Sequence, residues 1–150
     1  MSEAQSKIRY EFNNISYLAL SFCREPIKIE CAGSSNKTYR NETLAQIGDA
    51  ILDLVIVERG FADGKNKKQI DDMRQKNAKN ERLVSFLKEK DLQQFCYKAK
   101  YFYNDAPGND RVSSGKHDAI VEAIIGAIYL DGDGDLEKVR DWITNNILTQ

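Results

Sequence analysis

Within Asn41 to Gly60, NETLAQIGDAILDLVIVERG, the residues Glu42, Gln46, Asp49 and Asp53 are spaced four, three and four apart. In an α-helix that spacing puts all four on one side. Leu44, Ile47, Ala50, Ile51, Leu52, Leu54, Val55, Ile56 and Val57 fill the other faces, so the pattern predicts that at least Asp49 faces the interior or a cleft. A carboxylate placed there needs a partner, because burying it unpaired costs several kcal/mol or forces it to take up a proton. Ser113 to Leu130, SSGKHDAIVEAIIGAIYL, repeats the pattern, with Asp118 and Glu122 four apart among Ala, Ile and Val. Gly48 and Gly126 lie inside these two segments. A mid-helix glycine costs about 1 kcal/mol against alanine and is most simply explained by close backbone approach. Two such helices point to a shared site, and converging carboxylates repel unless a cation lies between them. Oxygen ligands favour a hard ion such as magnesium or manganese. The competing reading places the acids at helix ends or in pairs with Arg and Lys.

The elements that must position these acids are helical. An opening amphipathic helix is expected from about Asn14 to Glu25, stopping before Pro26. A polar loop covers Cys31 to Arg40, Asn41 is a candidate N-cap, and Gly60 is expected to close the acid-bearing helix. Ile70 and Met73 mark a short helix, Asn80 begins another, and Asp135 caps a last one carrying Leu136, Val139, Trp142, Ile143 and Ile147. No strand alternation stands out, and repeats are absent. The expectation is an all-α fold in a single domain spanning 1–150.

At 150 residues and 41% hydrophobic, the chain suffices for one core. Its net charge is −1, yet 65–100 holds eleven Lys or Arg against five Asp or Glu. That local excess is either a footprint for phosphates or a solvated helical face. The aromatic and basic run Leu92 to Tyr103 is likewise either an RNA contact or a core edge. Cys23, Cys31 and Cys96 lack metal-type spacing, and neither a signal peptide nor an apolar stretch of membrane length is seen. A cytoplasmic protein without membrane partners is expected. Asp131, Asp133 and Asp135 resemble the start of an EF-hand loop, but Leu136 replaces the required glycine and Trp142 the closing glutamate. His117 is the only histidine, which excludes zinc sites built on several.

NETLAQIGDAILDL resembles the signature helix of the ribonuclease III endonuclease domain, and VEAIIGAIYLDGD resembles that family's second catalytic helix. IDDMRQKNAKNERL resembles its central helix-turn segment, with the arginine at Arg74, and ISYLALSF its first helix. Together these cover about residues 10–148. The resemblance implies a helical, homodimeric endonuclease domain that uses magnesium, with manganese as a substitute, to cut both strands of double-stranded RNA and leave short 3′ overhangs. It implies Asp49, Glu122 and Glu42 as catalytic residues, with Asp49 and Glu122 holding the metal and Glu42 supporting the site and helping to shape the dimer.

Three positions depart from the family pattern. Ala45 stands where most members carry a second glutamate ligand, Lys67 where an accessory glutamate is usual, and Ala119 where the other aspartate ligand falls. Asp118 lies one residue earlier, about 100° around the helix, but still four before Glu122, and is kept as a candidate ligand. The compact Mini-ribonuclease III branch, which also lacks an attached double-stranded-RNA-binding domain, has alanine before its Gly-Asp-Ala motif, so the replacements do not establish inactivity. Ala45→Glu is expected to tighten magnesium binding.

The leading expectation is a metal-dependent endoribonuclease. Lys65, Lys67, Lys68 and Arg74 are candidate RNA phosphate contacts, and Ile51, Leu54 and Val55 are placed near the dimer interface. The alternatives are a catalytically impaired module that binds double-stranded RNA or serves in a ribonucleoprotein assembly, and an unrelated helical interaction protein.

Overall fold

A computed structural model describes residues 1–23, 27–29, 37–78, 80–96 and 117–148; of 27–29, 37, 38, 80, 117 and 118 it describes the secondary structure alone. In chain order the elements are α1 (Ser2–Ile8), α2 (Ile15–Phe22), β1 (Ile27–Ile29), β2 (Lys37–Tyr39), α3 (Asn41–Ala62), α4 (Lys67–Ala78), α5 (Asn80–Glu89), a 3-10 turn (Gln93–Phe95), α6 (His117–Asp131) and α7 (Leu136–Asn146). The helical class expected from the sequence holds. One small addition is an antiparallel hairpin pairing Ile27 with Tyr39 and Ile29 with Lys37. Three-residue strands are too short for an alternating pattern to register. The aromatic run 97–103, Cys31, the loop 104–114 and the helix start expected at Ser113 lie outside the described residues.

α6 is the centre of the molecule. Val121, Ala123, Ile124, Ile125, Ala127 and Ile128 have no solvent exposure, as expected of a helix that is apolar nearly all round. α3 makes the most extensive packing against it, and α2, α5 and α7 cover other sides. Leu44, Leu52, Val55 and Ile56 are the α3 contribution to this core, Leu18 and Phe22 that of α2, and Leu83, Phe86 and Leu87 that of α5.

The helix ends show why the chain turns where it does. Asn14 Oδ1 accepts from the Ser16 amide at 3.0 Å and starts α2, which ends at Phe22, earlier than expected. Asn41 is already helical and buried, with Arg40 at the cap position. Gly60 does not end α3 but lies beneath Ile70 and Met73 of α4. The stop comes at Gly64, whose φ of 69° lets its N–H bond the Phe61 carbonyl at 3.1 Å while that of Lys65 bonds Gly60 at 2.9 Å, a Schellman closure. Asn66 and Gln69 then cap α4 reciprocally, each side-chain oxygen accepting the other's backbone N–H at 2.9 Å. Asp135 caps α7 as expected, accepting from Glu137 and Lys138.

The N-terminal helix α1 was not anticipated. It is held by Ala4 and Ile8, both fully buried, and by the Trp142 indole, which donates to the Ile8 carbonyl at 2.8 Å. Asp131, at the end of α6, fixes the segment that follows. Its carboxylate accepts from the amides of Asn13 at 2.9 Å and Asn14 at 2.7 Å and from the Tyr10 hydroxyl at 3.1 Å. Burial first, and the Asp131 charge second, push the Tyr10 pKa up to about 12.

Candidate active site

Two glycines set the geometry of the α3–α6 crossing. A Cβ added to Gly48 would land on the backbone carbonyl of Glu122, and one added to Gly126 would land on that of Leu44. The helices therefore touch backbone to backbone at two points one turn apart, running in opposite directions. Close approach, the reason inferred for mid-helix glycine, is what the structure displays at both positions. Asp49 follows Gly48 directly, so its Cα lies within roughly 7 Å of the Glu122 carbonyl oxygen. Two acids 73 positions apart in sequence are thereby brought to one place.

The acids do not face the interior as expected. Glu42, Gln46 and Asp49 are exposed, Asp53 and Glu122 are intermediate. The apolar faces of α3 divide instead: Leu44, Leu52, Val55 and Ile56 enter the core, while Leu54, Val57 and Phe61 are exposed at 43%, 36% and 82%. A helix with apolar residues on two sides leaves its acidic side open to solvent. Glu42 sits two turns before Asp49, about 10 Å along the axis, and forms part of the same exposed side. Asp118 lies in α6 one turn before Glu122, but its side chain is outside the described residues.

Among the described residues, no three Asp, Glu, His or Cys side chains converge closely enough to hold a metal ion. What the crossing offers is two carboxylate-bearing residues on adjoining helices, Asp49 exposed and Glu122 partly exposed. That donor set fits a hard cation such as Mg²⁺, which keeps several waters and needs only one or two carboxylates from the protein. Ala45, where the second glutamate ligand was missed, is only 5% exposed and packs in the core.

The basic residues singled out from sequence divide in two. Arg74 donates to Asp53, one turn beyond Asp49, and lies 3.5 Å from Asp71; the Asp53 hydrogen bond above all raises its pKa further. Lys67 is 93% exposed and approaches Asp71 at 3.4 Å, while Lys65 and Lys68 are exposed. Ile51 and Val55, expected near an interface, are 7% and 2% exposed and belong to the core; Leu54 alone of the three is exposed. The 100° turn per residue separates them. Sequence reasoning also overlooked a second basic group, Arg59 and Lys76, which shares a cleft with Lys65.

A helical domain in which two distant helices cross on glycines and set carboxylates at the crossing defines a class of architecture, and comparison with known proteins gives its family. The Ribonuclease III domain model matches residues 42–133, a span that contains Glu42, Asp49 and Glu122. The chain belongs to the ribonuclease III domain family. It is 31% identical over 149 residues to Ribonuclease 3 of Clostridium tetani (strain Massachusetts / E88), covering 97% of this chain and 59% of that relative's length. Two solved structures of the ribonuclease III nuclease domain from Campylobacter jejuni share the fold. One, described for its flexibility in a region involved in dimer formation, superposes with a TM-score of 0.71 at 22% identity, over 97% of this chain and 94% of the other. The second gives 0.67 at 21% identity, over 97% and 91%. No helix among the described residues is long and apolar enough to cross a membrane.

Proposed function

We propose that this domain is a divalent-metal-dependent endoribonuclease acting on double-stranded RNA, working as a homodimer and leaving short 3′ overhangs. The observation that supports the proposal is the glycine-mediated crossing that sets the backbones of Asp49 and Glu122 side by side, with Asp49 exposed and Glu122 partly exposed. Asp49 and Glu122 would hold Mg²⁺, or Mn²⁺ in its place, with Asp118 as a further candidate ligand. Such an ion supplies an activated water and charge stabilisation for phosphodiester hydrolysis. Rigid placement of the two carboxylates on packed helices, rather than on loops, fixes where the scissile phosphate must sit. Glu42 extends the acidic side and supports the site.

The exposed lysines Lys65, Lys67 and Lys68 are suited to RNA phosphates, which dominate duplex affinity. Arg74 is weaker in this role because two carboxylates already engage it, and it serves first to hold α4 on α3. Asp53 is thereby neutralised beside the reactive pair.

The outer side of α3 supports the dimer reading. Ala50, Leu54, Val57 and Phe61, at spacings of four, three and four, form an exposed apolar stripe along the helix, with Ile47 partly buried against the core at its start. A second copy of the chain is its fitting cover, since the dimer-forming relative shares this fold and a two-fold axis relates the strands of a duplex. One site per protomer then serves one strand each.

The runner-up is a catalytically impaired module that binds double-stranded RNA or serves in a ribonucleoprotein assembly. Alanine at Ala45 and Ala119 favours it, because neither can supply a ligand. Incubating the protein with a long RNA duplex, with and without magnesium or manganese, separates the two. Metal-dependent short duplex products, abolished in Asp49→Asn, are expected; binding without cleavage in either metal would support the module.

A further inference from the structure

At the far end of α3, about 15 Å along the helix from Asp49, a cleft of about 520 Å³ opens between α3, α4 and α7. Its volume falls within the range of small-molecule sites. Arg59, Lys65 and Lys76 line it against a single acid, Asp63. That acid is already engaged, since Arg59 Nε meets its Oδ2 at 3.3 Å. Among the described residues Lys65 and Lys76 form no ion pair, so the lining carries three cationic residues against one carboxylate.

The frame is rigid where it matters. The backbone of Lys65 is fixed by the Schellman closure of α3, in which the carbonyls of Arg59, Gly60 and Phe61 accept from N–H groups of residues 63–65. The wall at the helix end is therefore short of free acceptors that would repel an anion. Asn77, 3% exposed, forms the polar floor; its amide nitrogen donates to the Met73 carbonyl at 3.0 Å. Met73 and Leu148 add an apolar shoulder.

We propose that this cleft binds a phosphate monoester carried on a nucleoside-sized body, with Lys65 and Lys76 holding the phosphate, Arg59 assisting through its terminal nitrogens, and Met73 and Leu148 meeting the less polar part. The volume is too large for a lone phosphate and the charge unsuited to a neutral ligand. A phosphomonoester approaches two negative charges above its second pKa near 6, and paired ammonium groups favour that form. The site is separate from the acidic crossing and does not rest on catalysis there; it shares Lys65 with the proposed duplex contacts, while Lys76 and Arg59 belong to the cleft alone.

Calorimetric titration of the intact protein with adenosine 5′-monophosphate, inorganic phosphate and adenosine tests it. Adenosine 5′-monophosphate is expected to bind tighter than inorganic phosphate, and adenosine not measurably. Lys65→Gln/Lys76→Gln is expected to weaken nucleotide binding at least tenfold, and Asp49→Asn to leave it within twofold, so loss of the nuclease proposal and loss of this one are told apart. A short single-stranded RNA with and without a 5′-phosphate distinguishes a chain end from a free nucleotide; a phosphate-dependent gain that exceeds the mononucleotide's affinity assigns the chain end. Equal binding of adenosine and its monophosphate, unchanged affinity in the double lysine variant, or binding of neither nucleotide nor phosphorylated chain end would overturn the proposal.

Discussion

Replacing Gly48 with alanine sets two opposed effects against each other with different signs. Helix propensity alone makes Gly→Ala in a helix interior stabilising by about 1 kcal/mol. At Gly48, however, the new methyl would fall on the Glu122 carbonyl, a backbone group that cannot rotate aside. Relief requires the two central helices to part by on the order of 1 Å, which forfeits dispersion contacts along their whole crossing. Overpacking of this kind costs typically 1–3 kcal/mol, and a backbone obstacle at the tightest point of the core puts it at the upper end. The expected net loss is about 2 kcal/mol, or a fall in Tm of roughly 6 °C for a chain of this size. Cleavage should fall further than stability, because the displacement occurs between Asp49 and Glu122. Urea denaturation with the duplex cleavage assay measures both. Gly64→Ala provides the contrast: φ is 69° and no atom lies near, so about 1 kcal/mol of left-handed strain is expected with normal cleavage. Gly48→Ala as stable as the parent, or more so, would refute the close-packed crossing.

Asp131→Ala should cost about 3 kcal/mol, since it strands two backbone donors and a hydroxyl, and chemical denaturation reads this directly. The raised Tyr10 pKa, about 12 against 10, means the folded state holds this proton more tightly than the unfolded one. Its contribution is complete below pH 10 and is lost as pH rises towards 12, so Tyr10→Phe should show a shallower fall in stability across that window. Leu54→Asp with Phe61→Ser should convert a dimer into monomers in sedimentation equilibrium while Tm at low concentration stays within a few degrees; an unchanged dimer would remove the α3 stripe from the interface. Ala45→Glu places a carboxylate at a site only 5% exposed, so it should lower Tm without divalent ions and recover with magnesium as bound ligand stabilises the fold; absence of recovery would place residue 45 away from the metal.

The long helices were readable because their signals are dense. α3 and α6 carry helical spacing, interior glycines and acids in register, and the Asp135 cap stands before an amphipathic run. α1 escaped notice because seven residues with two apolar anchors, Ala4 and Ile8, make no periodic pattern; its order comes from Trp142 and Asp131, over a hundred residues away. That the helices bearing Asp49 and Glu122 meet was legible in kind, since Gly48 and Gly126 announced a close approach. The exposure of the two acids was not. Sequence cannot distinguish an apolar stripe that enters the core from one left outside, so a helix with Leu54 and Val57 among its apolar faces implied that its acids turn inward. The pairing of Arg74 with Asp53 was equally hidden, because it depends on how α4 folds back over Gly60.

The proposed function requires Asp49 and Glu122 to share one divalent ion. Titrating Mn²⁺ into the parent, Asp49→Asn and Glu122→Gln, followed by electron paramagnetic resonance, tests it most directly. Each single amide substitution is expected to weaken the same site at least tenfold with the far-ultraviolet spectrum unchanged; binding in both variants indistinguishable from the parent would contradict the account.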